Sequence, residues 1–375
     1  MEELKTSAAK ALQFKLNAEP GKWSFLFGNG INRHIFHEDC KWDELLQKIG
    51  GKQKYLDKTT YLKDKAFRDI YELIDKKDSI NEEALYKMLR RFNAVCDNDT
   101  SLIELFTLIN KNNTEKTKSE FLKELASFNK PDKDYFKRLR ECLIRLDIPV
   151  FTTNFDHNIE GADCKKTILP PKSEINASRK EHREFSSRYP WNVCYSNIKK
   201  TTAQDGYAVW HIHGDIEYKS SIQLGVSEYG GSLTRAHNFL YEDAKDEAGA
   251  KYKTKRKARF YKEPLSEKWR GYDTWLHPFF SHHLCIIGFG MDKTESFVRW
   301  LINERSKFSH FLSENRSKYP SLDLTLDSMF IDCETNINYS KLFYLEKYGF
   351  NIITFKADEY DSFFEDLTKL DLIVT

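Results

Sequence analysis

The sequence predicts an α/β protein, a parallel sheet with helices on both faces and a large helical insertion. Three observations predict it. Short apolar runs recur along the chain, each run ends in small or polar residues, and helical patterns separate the runs. The composition allows such a fold: 375 residues with 40% hydrophobic and 31% charged side chains supply a sizeable core and a solvated surface. Much of that core is aromatic, because the chain holds 27 Phe and 19 Tyr.

The first run is Trp23-Ser24-Phe25-Leu26-Phe27, leading into Gly28-Asn29-Gly30-Ile31-Asn32. Residues 41–146 then read as helical. Ser79 and Glu82 form a capping-box pattern ahead of Leu85, Met88, Leu89 and Phe92, and Ser101 and Glu104 repeat it ahead of Leu105, Leu108 and Ile109. Phe121, Leu122, Leu125 and Phe128 make a further stripe, closed by Asn129-Lys130-Pro131. The region is expected to be a helical subdomain, 41–146, inserted in a sheet domain made of 1–40 and 147–375. The second run, Ile148-Pro149-Val150-Phe151, ends in Thr152-Thr153-Asn154-Phe155-Asp156. A polar stretch at 161–205 reads as an irregular loop over the site. The third run, Tyr207-Ala208-Val209-Trp210, ends in His211-Ile212-His213-Gly214-Asp215. The fourth, Leu284-Cys285-Ile286-Ile287, ends in Gly288-Phe289-Gly290-Met291-Asp292. Met329-Phe330-Ile331 and Asn351-Ile352-Ile353-Thr354-Phe355 follow, with a helix around Lys341–Lys347 between them. Sheets of this kind bind ligands beyond the carboxyl ends of their strands, where these polar residues gather.

Charge and cysteine content narrow the function classes. Lys plus Arg (59) nearly cancel Asp plus Glu (57), so a net charge of +2 supplies no global field for nucleic acid. A cationic run at 251–262 reads as a solvated helical face, and direct nucleic-acid binding is not expected. The seven cysteines are scattered without a C-x-x-C pair, which excludes a four-cysteine zinc ribbon and suits reduced thiols in a cytoplasm. No stretch has a signal-peptide core or the roughly 20 apolar residues that span a bilayer. A cytoplasmic chain with no membrane partner is therefore expected.

Four segments carry chemistry. Gly28-Asn29-Gly30 after a strand lets the backbone approach a diphosphate, but a ligand-free strand-to-helix turn uses the same residues. Thr153, Asn154 and Asp156 at a strand end can reach a ribose, a carboxamide or a water, or Asp156 or Asn158 can simply cap a following helix. Alternation places His211 and His213 on one face while the strand lasts, and His213, followed by glycine, is a general-base candidate because imidazole titrates near neutrality. The histidine spacing matches no common zinc signature, so no metal is expected.

The order G-x-G loop, T-x-N-x-D, H-G and a later glycine loop resembles the sirtuin superfamily. That resemblance implies a Rossmann-like fold with NAD⁺ as the ligand. It places Asn154 and Asp156 at the nicotinamide ribose and carboxamide, and His213 near the ribose hydroxyls. Gly28, Asn29, Gly30, Asn32 and Thr153 are implied as NAD⁺-binding, Gly288 and Gly290 as the later phosphate-facing loop, and Asp332 at the adenosine ribose. The missing zinc ribbon, the Thr-Thr-Asn-Phe-Asp segment, the helical insertion and the terminal Tyr360-Asp361-Ser362-Phe363-Phe364 are similar to bacterial sirtuin-like effectors of anti-phage defence. The branch implies an NAD⁺ hydrolase, without zinc, that releases nicotinamide and ADP-ribose and acts in abortive infection by depleting NAD⁺. It also implies a homo-oligomer and a separately encoded partner such as a HerA-type ATPase. An NAD-dependent protein deacylase and a non-catalytic nucleotide-binding subunit of a defence complex are the alternative readings.

Overall fold

The computed structural model describes residues 3–37, 114–169, 186–204, 206–223, 226–243, 258–291, 295–319, 322 and 326–372. The helices expected after Ser79 and Ser101, and the cationic run at 251–257, lie outside the described residues. The strands are β1 (Trp23–Phe27), β2 (Pro149–Thr152), β3 (Lys165–Ile168), β4 (Val193–Ser196), β5 (Ala208–His211), β6 (His283–Ile287), β7 (Ser328–Cys333) and β8 (Phe350–Phe355). They form one sheet in the order β3-β4-β5-β2-β1-β6-β7-β8. From β5 to β8 every pairing is parallel, and β3 and β4 add an antiparallel edge. Numbered among themselves, the six parallel strands run 3-2-1-4-5-6, the order of a Rossmann-like sheet, with the winding reversing between β1 and β6.

The α/β class expected from the apolar runs is the observed one. The stretch 161–205 needs correction, because β3 and β4 lie within it where an irregular loop was expected. Each is four residues long, and β3 opens on two exposed lysines, Lys165 and Lys166. A short edge strand of this kind is decided by its partner's backbone rather than by apolar periodicity.

Side-chain alternation along the strands builds a core on each face. On one side Phe25, Phe27, Val150, Val209, Cys285 and Ile287 pack against α1 (Ser7–Ala18), α4 (Asp134–Leu146) and α9 (Tyr360–Leu367). On the other, Leu26, Phe151, Trp210, Leu284, Ile286 and Phe330 pack against α5 (Val226–Tyr241), α6 (Leu276–Ser281) and α7 (Ser296–Glu314). The short α2 (Gly30–Phe36) follows β1, and α8 (Tyr339–Lys347) leads into β8.

Within the expected insertion range, α4 buries Phe136, Leu139, Leu143 and Leu146 at i, i+3, i+7, i+10 and so belongs to the layer against the sheet. It stops at Asp147, whose left-handed backbone (φ 52°) ends the helix and whose Oδ1 accepts the Tyr207 amide just ahead of β5. The preceding helix, α3 (Thr114–Ala126), buries Phe121 and Leu125 as its stripe predicts. Phe121 meets Phe155 edge to face, with ring centroids 5.7 Å apart. The turn after α3 continues that contact: Asn129 Oδ1 accepts the His157 amide, and the Lys130 amide donates to Asn158 Oδ1. The segment ahead of α4 is thus docked on the loop that follows β2.

Candidate functional site

Strand register brings the expected residues to one edge. Phe27 aligns with Thr152 and Ile287, Thr152 with His211, and Ile287 with Ile331. Gly28, Thr153, Ile212 and Gly288 therefore follow directly at the carboxyl edge of the sheet, with Asp332 at the end of β7.

The two glycine loops lie against each other. The Gly30 amide donates to Gly288 O at 2.9 Å, and the Gly28 amide donates to Ile287 O at 3.0 Å. A Cβ on Gly28 would stand 2.5 Å from Gly288 O, and one on Gly30 would stand 2.7 Å from Gly288 Cα. Gly288 itself has φ +60°. The loop contact therefore accounts for all three glycines without a ligand. Gly290 differs: it is exposed, and a Cβ there would meet nothing within 4 Å. The terminal Tyr-Asp-Ser-Phe-Phe segment supports the same loop, because Tyr360 Oη donates to Gly30 O at 2.9 Å and the Phe364 ring lies against Gly30.

Asn154 is buried and held at three points. Its amide donates to Thr152 Oγ1 (3.0 Å), its Nδ2 donates to Gly28 O (3.2 Å), and its carbonyl accepts from His211 Nδ1 (2.8 Å). Its remaining polar atom, Oδ1, is buried without a hydrogen-bond partner.

Asp156 is also buried, but each of its oxygens already accepts a hydrogen bond. Oδ2 takes Asn32 Nδ2 at 2.7 Å, and Oδ1 takes the Asn158 amide at 3.2 Å. Asn158 returns a bond to Asn32 Oδ1 at 3.1 Å. Burial raises the Asp156 carboxyl above its ordinary range, against the opposing effect of the Asn32 and Asn158 bonds. Residues 158–163 are turns, so Asp156 closes an Asx turn where a helix cap was the simpler expectation.

His211 and His213 do not share a face. β5 ends at His211 and the chain bends through Ile212, so strand alternation stops between them. His211 joins a network with His157, Glu160, Tyr195 and Asp215. Its Nε2 lies 2.7 Å from Glu160 Oε1, and His157 Nε2 lies 3.0 Å from Asp215 Oδ1. Tyr195 Oη donates to Asp215 Oδ2 at 2.6 Å, and the Glu217 amide donates to Oδ1 at 2.7 Å. Burial alone would lower the His211 pKa, but Glu160, joined by Asp215 and the Asn154 carbonyl, raises it to about 10. Burial would likewise raise the Asp215 carboxyl, and the His157 hydrogen bond together with both imidazoles holds it well below the usual range. Among the described residues, His157, His211 and Asp215 bring one ligand atom each within 4.8 Å of one another, close enough to share a cation. Here those atoms are engaged by the hydrogen bonds just given.

His213 faces the Tyr229 and Phe297 rings on α5 and α7, with centroids 5.2 and 6.4 Å away. Its Nε2 is buried without a hydrogen-bond partner, and Glu295 Oε2 lies 3.6 Å from it. Burial pushes its pKa down to about 3. Titration near neutrality, the property that recommended His213 from sequence, is therefore lost in the fold, and the ring is neutral at pH 7.

Asp332 is buried, with Oδ1 accepting from the Cys333 amide (2.8 Å) and Asn336 Nδ2 (2.9 Å), and with Oδ2 lying 3.8 Å from Lys341 Nζ. Burial raises its pKa against Lys341. Of the residues expected at the site, Gly28, Gly30, Gly288 and Asn154 are in direct contact, and Asn32 and Asp156 form a second contact group. His213 and Asp332 share the edge by register alone. Glu160, Gln223 and Glu295 were not anticipated. Gln223 donates its backbone N–H to His213 O at 3.0 Å and its Nε2 to Ile212 O at 3.3 Å, and its Oε1 is buried without a hydrogen bond.

A scan against protein-family models and a search of curated proteins found no match to this chain. The sirtuin resemblance thus rests on the motifs themselves. Among the described residues no helix is long and apolar enough to cross a membrane.

Proposed function

We propose that the chain is an NAD⁺ glycohydrolase that cleaves NAD⁺ to nicotinamide and ADP-ribose. One observation carries the reading: Asn154 Oδ1 and His213 Nε2 are both buried without a hydrogen bond at the carboxyl edge of a Rossmann-like sheet, with Glu295 Oε2 3.6 Å from the imidazole. Leaving a buried polar atom unpaired costs about 1–3 kcal/mol, so two such atoms at a ligand-binding edge favour a ligand that satisfies them. The Asn154 oxygen can only accept, which calls for a hydroxyl, an amide N–H or a water as its partner.

NAD⁺ meets these demands. Its nicotinamide is a cationic leaving group that departs neutral, so bond cleavage needs no general acid. Positive charge develops on the ribose as the bond stretches, as in other glycosyl transfers. Asn154 Oδ1 accepts from the attacking water or a ribose hydroxyl and fixes its position. Neutral His213 offers a second polar contact to the water or a ribose hydroxyl, and the proton of the attacking water passes to solvent as ADP-ribose forms. With burial holding its pKa near 3, His213 acts by orienting a hydroxyl. Asp156 and Asn32, engaged with each other, buttress the loop. The similarity to sirtuin-like defence effectors extends the proposal to NAD⁺ depletion during phage infection.

The test is incubation of purified protein with NAD⁺ while nicotinamide and ADP-ribose are followed. Equal release of both is expected, reduced by about 10²–10⁴-fold in Asn154→Ala and His213→Ala with the fold retained. Wild-type NAD⁺ loss in either variant removes that residue from the mechanism. Binding of NAD⁺ without release moves the chain to the nucleotide-binding alternative.

A further inference from the structure

The loop from Asn154 to Glu160 is spanned by a single ring. His211 touches its first residue through one nitrogen and its last through the other, at 2.8 Å to Asn154 O and 2.7 Å to Glu160 Oε1. A carbonyl oxygen cannot donate, so His211 Nδ1 must carry the proton of the first bond. The ring is almost wholly buried, and Tyr195 and His157 pack beside it with centroids 5.8 and 5.3 Å away. Rotation about χ2 would exchange a carbon for each nitrogen and break both contacts.

This matters because of what remains of Asn154. Its amide and Nδ2 are tied to Thr152 and Gly28, which belong to the ends of β2 and β1. The Nδ2 bond fixes the side chain and the amide bond fixes the backbone ahead of it, while His211 holds the carbonyl of the peptide that follows Asn154. We propose that His211 is a positioning residue, one that sets the Asn154 peptide so that Oδ1 stays directed at the ligand, with Glu160 as the anchor of the ring. This deepens the glycohydrolase reading and rests on it for its kinetic consequence. The geometric claim stands separately.

The two nitrogens of the ring can be tested one at a time. An asparagine amide reaches about as far as histidine Nδ1, and a glutamine amide about as far as Nε2. His211→Asn thus retains a donor for Asn154 O and loses Glu160. His211→Gln retains a donor for Glu160 and loses Asn154 O. If the ring positions Asn154, His211→Asn keeps kcat for nicotinamide release within about fivefold of wild type. His211→Gln loses on the order of 10²-fold, the effect of a displacement near 1 Å. KM should stay within about threefold in both, because the defect is in geometry at the reacting centre. Glu160→Gln keeps an acceptor for Nε2 and should resemble His211→Asn.

A ring that serves only to balance buried charge predicts the reverse order, with His211→Gln the milder change, and that order overturns the proposal. Equal loss in Glu160→Gln and His211→Gln overturns it as well. Amide hydrogen exchange over residues 152–158 provides a readout independent of turnover. Faster exchange in His211→Gln than in His211→Asn supports the proposal, and indistinguishable rates overturn it. If wild-type protein binds NAD⁺ but releases no nicotinamide, the hydrolase reading falls, and the exchange comparison alone decides whether His211 positions the loop.

Discussion

His211 and His213 stand two residues apart, 4% and 2% exposed, and the fold treats them in opposite ways. Around His211, Glu160, Asp215 and His157 supply charges within hydrogen-bonding reach of one another, and the pKa rises to about 10. Around His213 stand Tyr229 and Phe297, Glu295 comes no closer than 3.6 Å, and the pKa falls to about 3. Equal burial thus gives a paired imidazolium in one case and a neutral ring without a hydrogen bond at Nε2 in the other. Burial sets the penalty for charge, and the nearest partner decides whether that penalty is overcome. The filled environment suits a structural clamp. The apolar one keeps its imidazole uncharged.

Removing the acids that face the two rings tests that contrast most severely. Glu160→Ala strips a buried imidazolium of its partner and should destabilise the protein by about 3–5 kcal/mol, the usual cost of breaking one side of a buried pair. Glu295→Ala removes a partly exposed carboxylate near a ring that is already neutral, and should change stability by less than about 1 kcal/mol. Chemical denaturation at pH 7 measures both. Similar losses would mean that the two histidines are not differently charged.

The glycine loops repeat the contrast between a filled neighbourhood and an open one. A methyl group on Gly28 collides with Gly288 and Phe289 backbone, whereas one on Gly290 meets open space. Gly28→Ala should therefore cost about 1–3 kcal/mol, as overpacking does, and Gly290→Ala should stay within about 0.5 kcal/mol. Comparable melting temperatures for the two variants would mean that the loops do not pack as described.

How far these features are legible in sequence depends on the range of the interaction. β1, β2, β5, β6, β7 and β8 announce themselves because each is a local run of apolar residues closed by polar ones, and local pattern is what a sequence displays. Their carboxyl ends follow for the same reason, which is how Asn154, Gly288 and Asp332 came to one edge. The antiparallel strands stay hidden because β3 opens on two exposed lysines and the Val193-Cys194-Tyr195 run of β4 lies within a polar stretch. The network around His211 stays hidden because Glu160 lies 51 residues away and Asp215, though quoted beside the histidines, shows its partners only in the fold. Separation along the chain likewise explains why His213 looked like a base titrating near neutrality: nothing beside it in the chain reveals Tyr229 and Phe297.

The smallest expected effect concerns pH, and its sign separates the two rings. For His213 the native pKa is lowered, so below the unfolded value of about 6.5 the unfolded chain takes up a proton that the native ring refuses. Its contribution to stability is present above pH 6.5 and declines as pH falls toward 3, by about 1.4 kcal/mol per pH unit. For His211 the native pKa is raised, so its contribution is complete below pH 6.5 and declines as pH rises toward 10. Many carboxylates also titrate below pH 5, so the quantity to measure is the difference between wild type and variant from pH 5.5 to 8. Relative to wild type, His213→Leu should gain about 1 kcal/mol on going from pH 6.5 to 5.5, where the unfolded ring passes from half to nearly full protonation, and stay level above pH 7. His211→Asn should approach wild type as pH rises from 6.5 to 8. A difference for His213→Leu that is flat across the acid arm would show that the native ring takes up its proton as readily as the unfolded one. The opposition between the two histidines would then fail at its open end.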